Sequence, residues 1–220
     1  MSYEEENQEL GNNFIDKYLK SYASKDGNGN WGRIEFESTF GCALNCDYCY
    51  LNRHREDLEP EDYDMQSIVE HGKMLTDWLV RNNYHPKIDF FGGSPLMFDK
   101  NYELLHYMID KLSEINYTGA IVIPSSYIWI NDDDRVDSVE DIIEHGHEMG
   151  IRVALSASVD GKYCDANRPT PMIERDEEYY NKVFRFNKKH GFAYHPMLYS
   201  EHIEDWEDNW LWYMDKLREF

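Results

Sequence analysis

The chain has 220 residues, enough for one ordinary domain or one domain with a short appendage and too few for two large ones. Hydrophobic residues make up 41% and aromatics 15%, which excludes a globally disordered chain and calls for buried faces rich in large rings. Lysine and arginine total 22 against 43 acidic residues, a net charge of −21. A field of that sign repels phosphate backbones and anionic lipid, so neither nucleic acid nor a membrane surface is an expected partner.

In chain order, Met1 to Leu10 is acidic and polar where a secretory signal needs a basic start and an apolar middle, so a cytoplasmic protein is expected. Leu10, Phe14, Ile15, Tyr18, Leu19 and Tyr22 fall at helical spacing, and Ser24 to Asn30 breaks the pattern. This predicts an N-terminal helix and a flexible turn over residues 1–30, ahead of a core over 31–220. From Trp31 onward, short extended runs alternate with helical patterns. The runs are Arg33–Glu37, Lys87–Phe91, Ala120–Ile123, Ile151–Ser156 and Phe192–Leu198. The intervening helices are marked by Met65 to Leu79, Leu104 to Ile115, Val139 to Met149 and Tyr180 to Phe184. A last helix carries Trp206, Trp210, Tyr213, Met214 and Leu217 on or near one face, a stripe that either packs onto the fifth strand or docks a partner. The longest apolar runs, Ala120–Ile123 and Tyr127–Ile130, are far short of the ~20 residues that span a bilayer.

Five βα units in succession imply an α/β fold with a parallel sheet, either doubly wound or closed toward a full or partial barrel. In each case ligands sit at the carboxyl ends of the strands. Three of the four cysteines lie there, in the loop after the first strand, Gly92-Gly93 follows the second, and Ser158 to Gly161 the fourth. The acidic clusters Asp132–Asp134, Glu174–Glu178 and Glu201–Asp208 are solvated loops and helix starts.

Cys42, Cys46 and Cys49 form C-x3-C-x2-C without a nearby fourth cysteine. Clustered thiols outside a secretory context are metal ligands rather than staples. Three thiolates suit an iron–sulfur cluster with one iron left open. A closed Cys3His zinc site with His54 as the fourth ligand is the other reading, less favoured because structural zinc mostly staples small domains that lack a core, and spacing alone leaves both open. Other motifs fail on context. Gly27-x-Gly29-x-x-Gly32 precedes a strand instead of following one. Ser94 lacks the glycine at 96 that a nucleophile elbow requires. His145 and His147 point about 200° apart on a helix and cannot share a metal. Cys164 is read as a small buried hydrophobe, and Arg168, before Pro169, either as a ligand contact or as a surface residue.

The segment Phe40-Gly-Cys-Ala-Leu-Asn-Cys-Asp-Tyr-Cys-Tyr50 resembles the signature loop of the radical S-adenosylmethionine (SAM) enzymes, including the aromatic residue before the third cysteine. Phe91-Gly-Gly-Ser-Pro-Leu96 resembles that family's Gly-Gly-Glu-Pro segment. Ser158-Val-Asp-Gly161 with Asp165 and Arg168, and Lys188-Lys-His-Gly-Phe192, resemble the branch of anaerobic sulfatase-maturating and peptide-modifying (SPASM-type) enzymes, without their C-terminal auxiliary-cluster domain. The resemblance implies a partial (β/α) barrel and a [4Fe–4S] cluster on Cys42, Cys46 and Cys49. SAM would chelate the open iron and, on one-electron reduction, would yield methionine and a 5′-deoxyadenosyl radical that takes hydrogen from a substrate. It further implies that Tyr48 lines the adenine side, that Gly92 and Gly93 admit the methionine amino group, and that Ser158 and Arg168 lie near the ribose, carboxylate or substrate. A reductant such as flavodoxin or ferredoxin, and a peptide or protein substrate, are the implied partners. Ser94 stands where the family has glutamate, and a hydroxyl accepts the SAM ammonium more weakly than a carboxylate. Five βα units stand where the family has six. The alternatives are a cluster-binding scaffold without turnover and a zinc-stapled α/β binding module.

Overall fold

Ile34 and Phe36 alternate with Arg33, Glu35 and Glu37, so β1 (Arg33–Glu37) has one apolar and one polar face. The computed structural model describes residues 32–39, 41–46, 48, 49, 51, 65–197 and 203–220. The predicted N-terminal helix and turn, and His54, lie outside those residues. After β1 come α1 (Met65–Arg81), β2 (Lys87–Phe91), α2 (Asp99–Ser113), β3 (Ala120–Ser125), α3 (Asp133–Glu148), β4 (Arg152–Ala157), α4 (Glu177–His190), β5 (Ala193–Tyr194) and α5 (Trp206–Glu219). Short 3-10 turns follow β2 at Pro95–Met97 and β4 at Gly161–Tyr163, the latter running into a one-turn helix, Cys164–Asn167.

The strand order is β1-β2-β3-β4-β5 and every pairing is parallel. A doubly wound sheet reverses its order at a switch point. This sheet never does, so it winds in one direction, as a partial β/α barrel does. Right-handed crossovers then bring the helices to one face. There Ile34, Phe36, Ile88, Phe90, Ile121, Ile123, Val153 and Leu155 pack with Leu104, Leu105, Met108, Val139, Ile142, Val183 and Phe184 into one core. The other face of β1 and β2 is polar, with buried Asp89 taking Arg33 and, at 2.8 Å, Lys87.

Local chemistry ends the helices where the pattern predicts. The Asp132 side chain accepts from Arg135 N at the start of α3, and Asp176 accepts from Tyr179 N at the start of α4. Gly191, at φ 69°, takes the left-handed conformation that closes α4. No helix among the described residues is long and apolar enough to cross a membrane.

One expectation is corrected and one is met in part. The fifth strand is the two residues Ala193–Tyr194, not a run from Phe192 to Leu198. His195 N still donates to Ala157 O at 2.7 Å. Pro196 then has no N–H to give, and Met197 N turns away to Asp160 Oδ1 at 2.7 Å, so the chain leaves the sheet. The last helix packs only part of its stripe onto the fifth strand, through Tyr213, whose ring lies 5.8 Å from that of Tyr194. Asn209 and Tyr213 are its buried residues, while Trp210 and Leu217 are 53% and 47% exposed. The turns of α5 that face inward are those whose side chains reach the loop after β4.

Candidate functional site

The cysteine loop is built as a continuation of the sheet. Beyond β1 and β2 the ladder runs on, with Ser38 N donating to Phe91 O at 2.9 Å, Gly93 N to Thr39 O at 2.7 Å and Ser94 N to Gly41 O at 2.9 Å. Residues 38–42 therefore ride directly on residues 91–94. Gly92 has φ 131°, and a Cβ there would collide with the Thr39 carbonyl; a Cβ on Gly93 would collide with the Gly41 carbonyl and press on Cys42. In the structure, then, the neighbour these two glycines admit is the backbone of the cysteine loop.

Gly93→Ala is accordingly expected to push that loop off its seat, because a backbone carbonyl cannot swing aside as a side chain can. The expected cost is about 1–3 kcal/mol of stability and a several-fold loss of iron and sulfide bound on anaerobic reconstitution. Gly32→Ala is the control, since nothing lies within 4 Å of its added Cβ. Equal iron loading in the two variants would refute the packing argument.

Cys42, Cys46 and Cys49 all line a cavity of about 430 Å³ at the carboxyl ends of the strands, within the roughly 300–1,000 Å³ of small-molecule sites. Cys42 Sγ lies 3.1 Å from Ser94 Oγ and accepts from Leu44 N at 3.4 Å. Cys49 N donates to Cys46 O at 3.0 Å, and Asn45 N to Pro169 O at 3.0 Å, which ties the loop to the segment after β4. Leu44 and Cys46 pack on Ile128. Burial pushes the Cys46 thiol up to about 11, with the Arg168 cation acting against the shift. A metal that binds there must therefore displace a proton. Among the described residues no three His, Cys, Asp or Glu side chains converge on a point suited to a single ion. A cubane cluster, which takes each thiolate on a different iron, needs no such convergence.

Opposite the cysteines, Asp160 gathers the site. Arg168 donates to it from Nε at 2.9 Å and from Nη2 at 3.1 Å, Tyr48 OH donates at 2.9 Å and Met197 N at 2.7 Å. Asp160 is 1% exposed and Arg168 9%, so the reading of Arg168 as a surface residue is corrected. Its guanidinium also lies 5.3 Å from the centre of the Tyr48 ring. Burial pushes the Tyr48 phenol well above its ordinary range, and Asp160 as its acceptor adds to that. Asp160 N donates to Cys164 Sγ at 2.9 Å, and Asn209 Nδ2 of α5 donates to Asp160 O at 3.1 Å. Tyr213 OH donates to Val159 O. Arg175 Nη2 holds Arg168 O at 2.9 Å.

Of the residues singled out from sequence, Cys42, Cys46, Tyr48, Cys49, Gly92, Gly93, Ser94, Ser158 and Arg168 all line this one cavity. Tyr48 and Arg168 are committed to Asp160. Two residues were missed. Asp160 sits in Ser158-Val-Asp-Gly161, where no local pattern assigns it a role, and only its place under three loops reveals one. His195, at the end of β5, also lines the cavity, and its Nδ1 lies 2.7 Å from Ser156 Oγ. Its one sequence signal was a polar residue at a strand's carboxyl end. Among the described lining residues there is no aspartate, glutamate or lysine. Cys164 is buried and away from this wall, and burial pushes its thiol up to about 11.

The model of the family described as "4Fe-4S single cluster domain" matches residues 27–177, a span holding every one of those lining residues except His195 and Met197. An uncharacterized protein of Methanocaldococcus jannaschii is 30% identical over 123 residues, covering 54% of this chain and 35% of that protein. The similarity thus spans about a third of that relative's length.

Proposed function

The chain belongs to the 4Fe-4S single cluster domain family, and we propose that it is a radical SAM enzyme whose cluster is held by Cys42, Cys46 and Cys49. The observation that carries the reading is the placement of all three thiols of C-x3-C-x2-C on the wall of one cavity at the strand ends. The residues fit the group: the thiols are the donors, and the loop that bears them is seated where Gly92 and Gly93 leave no Cβ in the way. When bound, the cluster supplies an open iron and one electron for the cleavage of SAM to methionine and a 5′-deoxyadenosyl radical.

The chain's own residues bind, orient and enclose. Ser94 Oγ, beside Cys42, offers the methionine amino group a neutral acceptor, and none of the described lining residues is a carboxylate. Gly92 and Gly93 seat the loop that carries Cys42, the places of their missing Cβ atoms being taken by the Thr39 and Gly41 carbonyls. Tyr48 lines the adenine side, chiefly through its backbone, while its side chain is held by Asp160. Ser158, whose N donates to Ser125 O at 2.7 Å, faces the ribose or carboxylate. Arg168 acts as a positioning residue, its Nε and Nη2 both donating to Asp160. Flavodoxin or ferredoxin as reductant, a peptide or protein substrate of the SPASM-type branch and a cytoplasmic setting complete the proposal.

The test is anaerobic incubation of the reconstituted, reduced protein with SAM and measurement of 5′-deoxyadenosine. Its formation supports the reading. A protein that loads the cluster yet forms none is a scaffold, and a colourless protein with one tight zinc is a stapled binding module. Ser94→Ala, at about 1 kcal/mol for one neutral hydrogen bond, is expected to weaken SAM binding about fivefold by calorimetry with iron content unchanged. Unaltered binding would assign the amino group to other atoms.

A further inference from the structure

The Nδ1 atoms of His106 and His145 lie 2.8 Å apart, one hydrogen bond between two rings that joins α2 to α3 within the chain. The outer face of α5 is left open among the described residues. At about 100° per residue, Trp206, Trp210, Met214 and Leu217 fall within an arc of about 80°. Trp210 and Leu217 are 53% and 47% exposed there, while Trp206 and Met214 are half-buried. The face turned inward is a different one. Asn209 and Tyr213 reach the loop after β4, and the Trp212 ring meets that of Tyr180 edge-on at 4.9 Å. Asp208, Asp215 and Glu219 fall on the side of the helix opposite the open stripe.

We propose that this stripe is where two copies of the chain meet, α5 packed antiparallel on α5 about a two-fold axis beside Trp212. A two-fold interface must be self-complementary, and this stripe reads nearly the same from either end. Trp206 and Trp210 stand 6 and 2 positions before residue 212, Met214 and Leu217 stand 2 and 5 after it. Antiparallel pairing therefore sets Trp206 against the second copy's Leu217 and Trp210 against the second copy's Met214, each contact made twice. Charge agrees with that register. Glu207 and Arg218 flank the stripe on one side, about 20° apart, and an antiparallel pair brings this flank of each helix together, Glu207 against the second copy's Arg218. Within one chain Arg218 has an exposed contact to Asp215 at 3.1 Å, of a kind worth little. The 14 residues of α5 span about 21 Å, so the contact belongs with interfaces below about 1,200 Å² and the dimer is a reversible, roughly micromolar one. None of the described lining residues of the cysteine cavity is on α5, so the interface stands independently of the cluster.

The test is sedimentation velocity of the full chain across a roughly hundredfold range of micromolar concentrations, at about 0.15 M salt, where the repulsion of two copies at net charge −21 is screened beyond about 8 Å. The wild type should pass from monomer to dimer. Trp210→Glu should raise the dissociation constant more than about 30-fold, as the loss of a central hot spot does. Glu207→Arg and Arg218→Glu should each weaken the dimer several-fold, and the double variant, with the charges exchanged, should return it to within about twofold of wild type. All three positions are exposed, so each variant should keep the far-UV circular dichroism of the wild type. A chain that stays monomeric throughout, its stripe taken by another segment or by a different protein, overturns the proposal. So does a dimer that Trp210→Glu leaves intact, which places the contact elsewhere, and so does a double variant no tighter than the single ones, which breaks the antiparallel register.

Discussion

Alanine at any one of Cys42, Cys46 or Cys49 is expected to abolish the brown absorbance of the reconstituted protein, its reduced [4Fe–4S]⁺ EPR signal and any 5′-deoxyadenosine formed from SAM. On the proposed reading each thiol is a separate ligand, and the loop offers no fourth cysteine, so no neighbour can take over a lost position. Cys164→Ala is the contrast. Its sulfur is buried and occupied by Asp160 N, and its loss should cost about 1–2 kcal/mol of packing while the cluster signals persist. Loading of the wild type should rise with pH, because the Cys46 thiol, pushed up to about 11 by burial, must lose its proton to bind metal. Full cluster content in a Cys46→Ala protein would remove Cys46 from the ligand set.

Asp160→Ala carries the second large effect. The substitution strands the Arg168 guanidinium, 9% exposed, without its partner, and a broken buried ion pair costs about 3–5 kcal/mol. For a chain of this size, that lowers Tm by roughly 6–20 °C. The damage reaches the cysteine loop as well, because Tyr48 loses the acceptor of its hydroxyl and Met197 N loses its own. Cluster loading should therefore fall along with stability. Pairing the change with Arg168→Met, which leaves no charge to strand, should recover part of the stability but not the anchorage of Tyr48. If thermal unfolding of Asp160→Ala matched the wild type, Arg168 would be free to serve a ligand directly, and its role as a positioning residue would fall.

Three cysteines within eight residues of sequence are legible to any reader because metal ligation is a local demand: the donors must lie on one short loop. The alternation of strands and helices is legible for a similar reason, since apolar periodicity is written into each segment separately. What periodicity does not carry is the order of strands. Doubly wound and singly wound sheets are made of the same βα units, and only the β1-β2-β3-β4-β5 pairing tells them apart. The fifth strand reads longer in the sequence than it is, for want of a tertiary partner. Tyr194 to Met197 looks extended, but Pro196 and the pull of Asp160 on Met197 N end the pairing after two residues.

Glycine shows the same division more finely. The sequence singles out Gly92 and Gly93, and their lack of a Cβ is indeed what the site requires; that the space is taken by Thr39 and Gly41 could only be learned once β1 and β2 lay side by side. The helical stripe on α5 was plain in the pattern, yet Asn209 and Tyr213 are what it buries, because hydrogen bonds to Asp160 O and Val159 O decide which face turns inward. The sequence by itself determined the elements, the ligand loop and the cavity's end of the sheet, all set by residues a few positions apart. The tertiary structure alone decided the sense of winding, the Asp160 node and the pairing of His106 with His145. Those join residues tens of positions apart, and nothing in a local pattern records which distant partner a buried charge or an imidazole ring will meet.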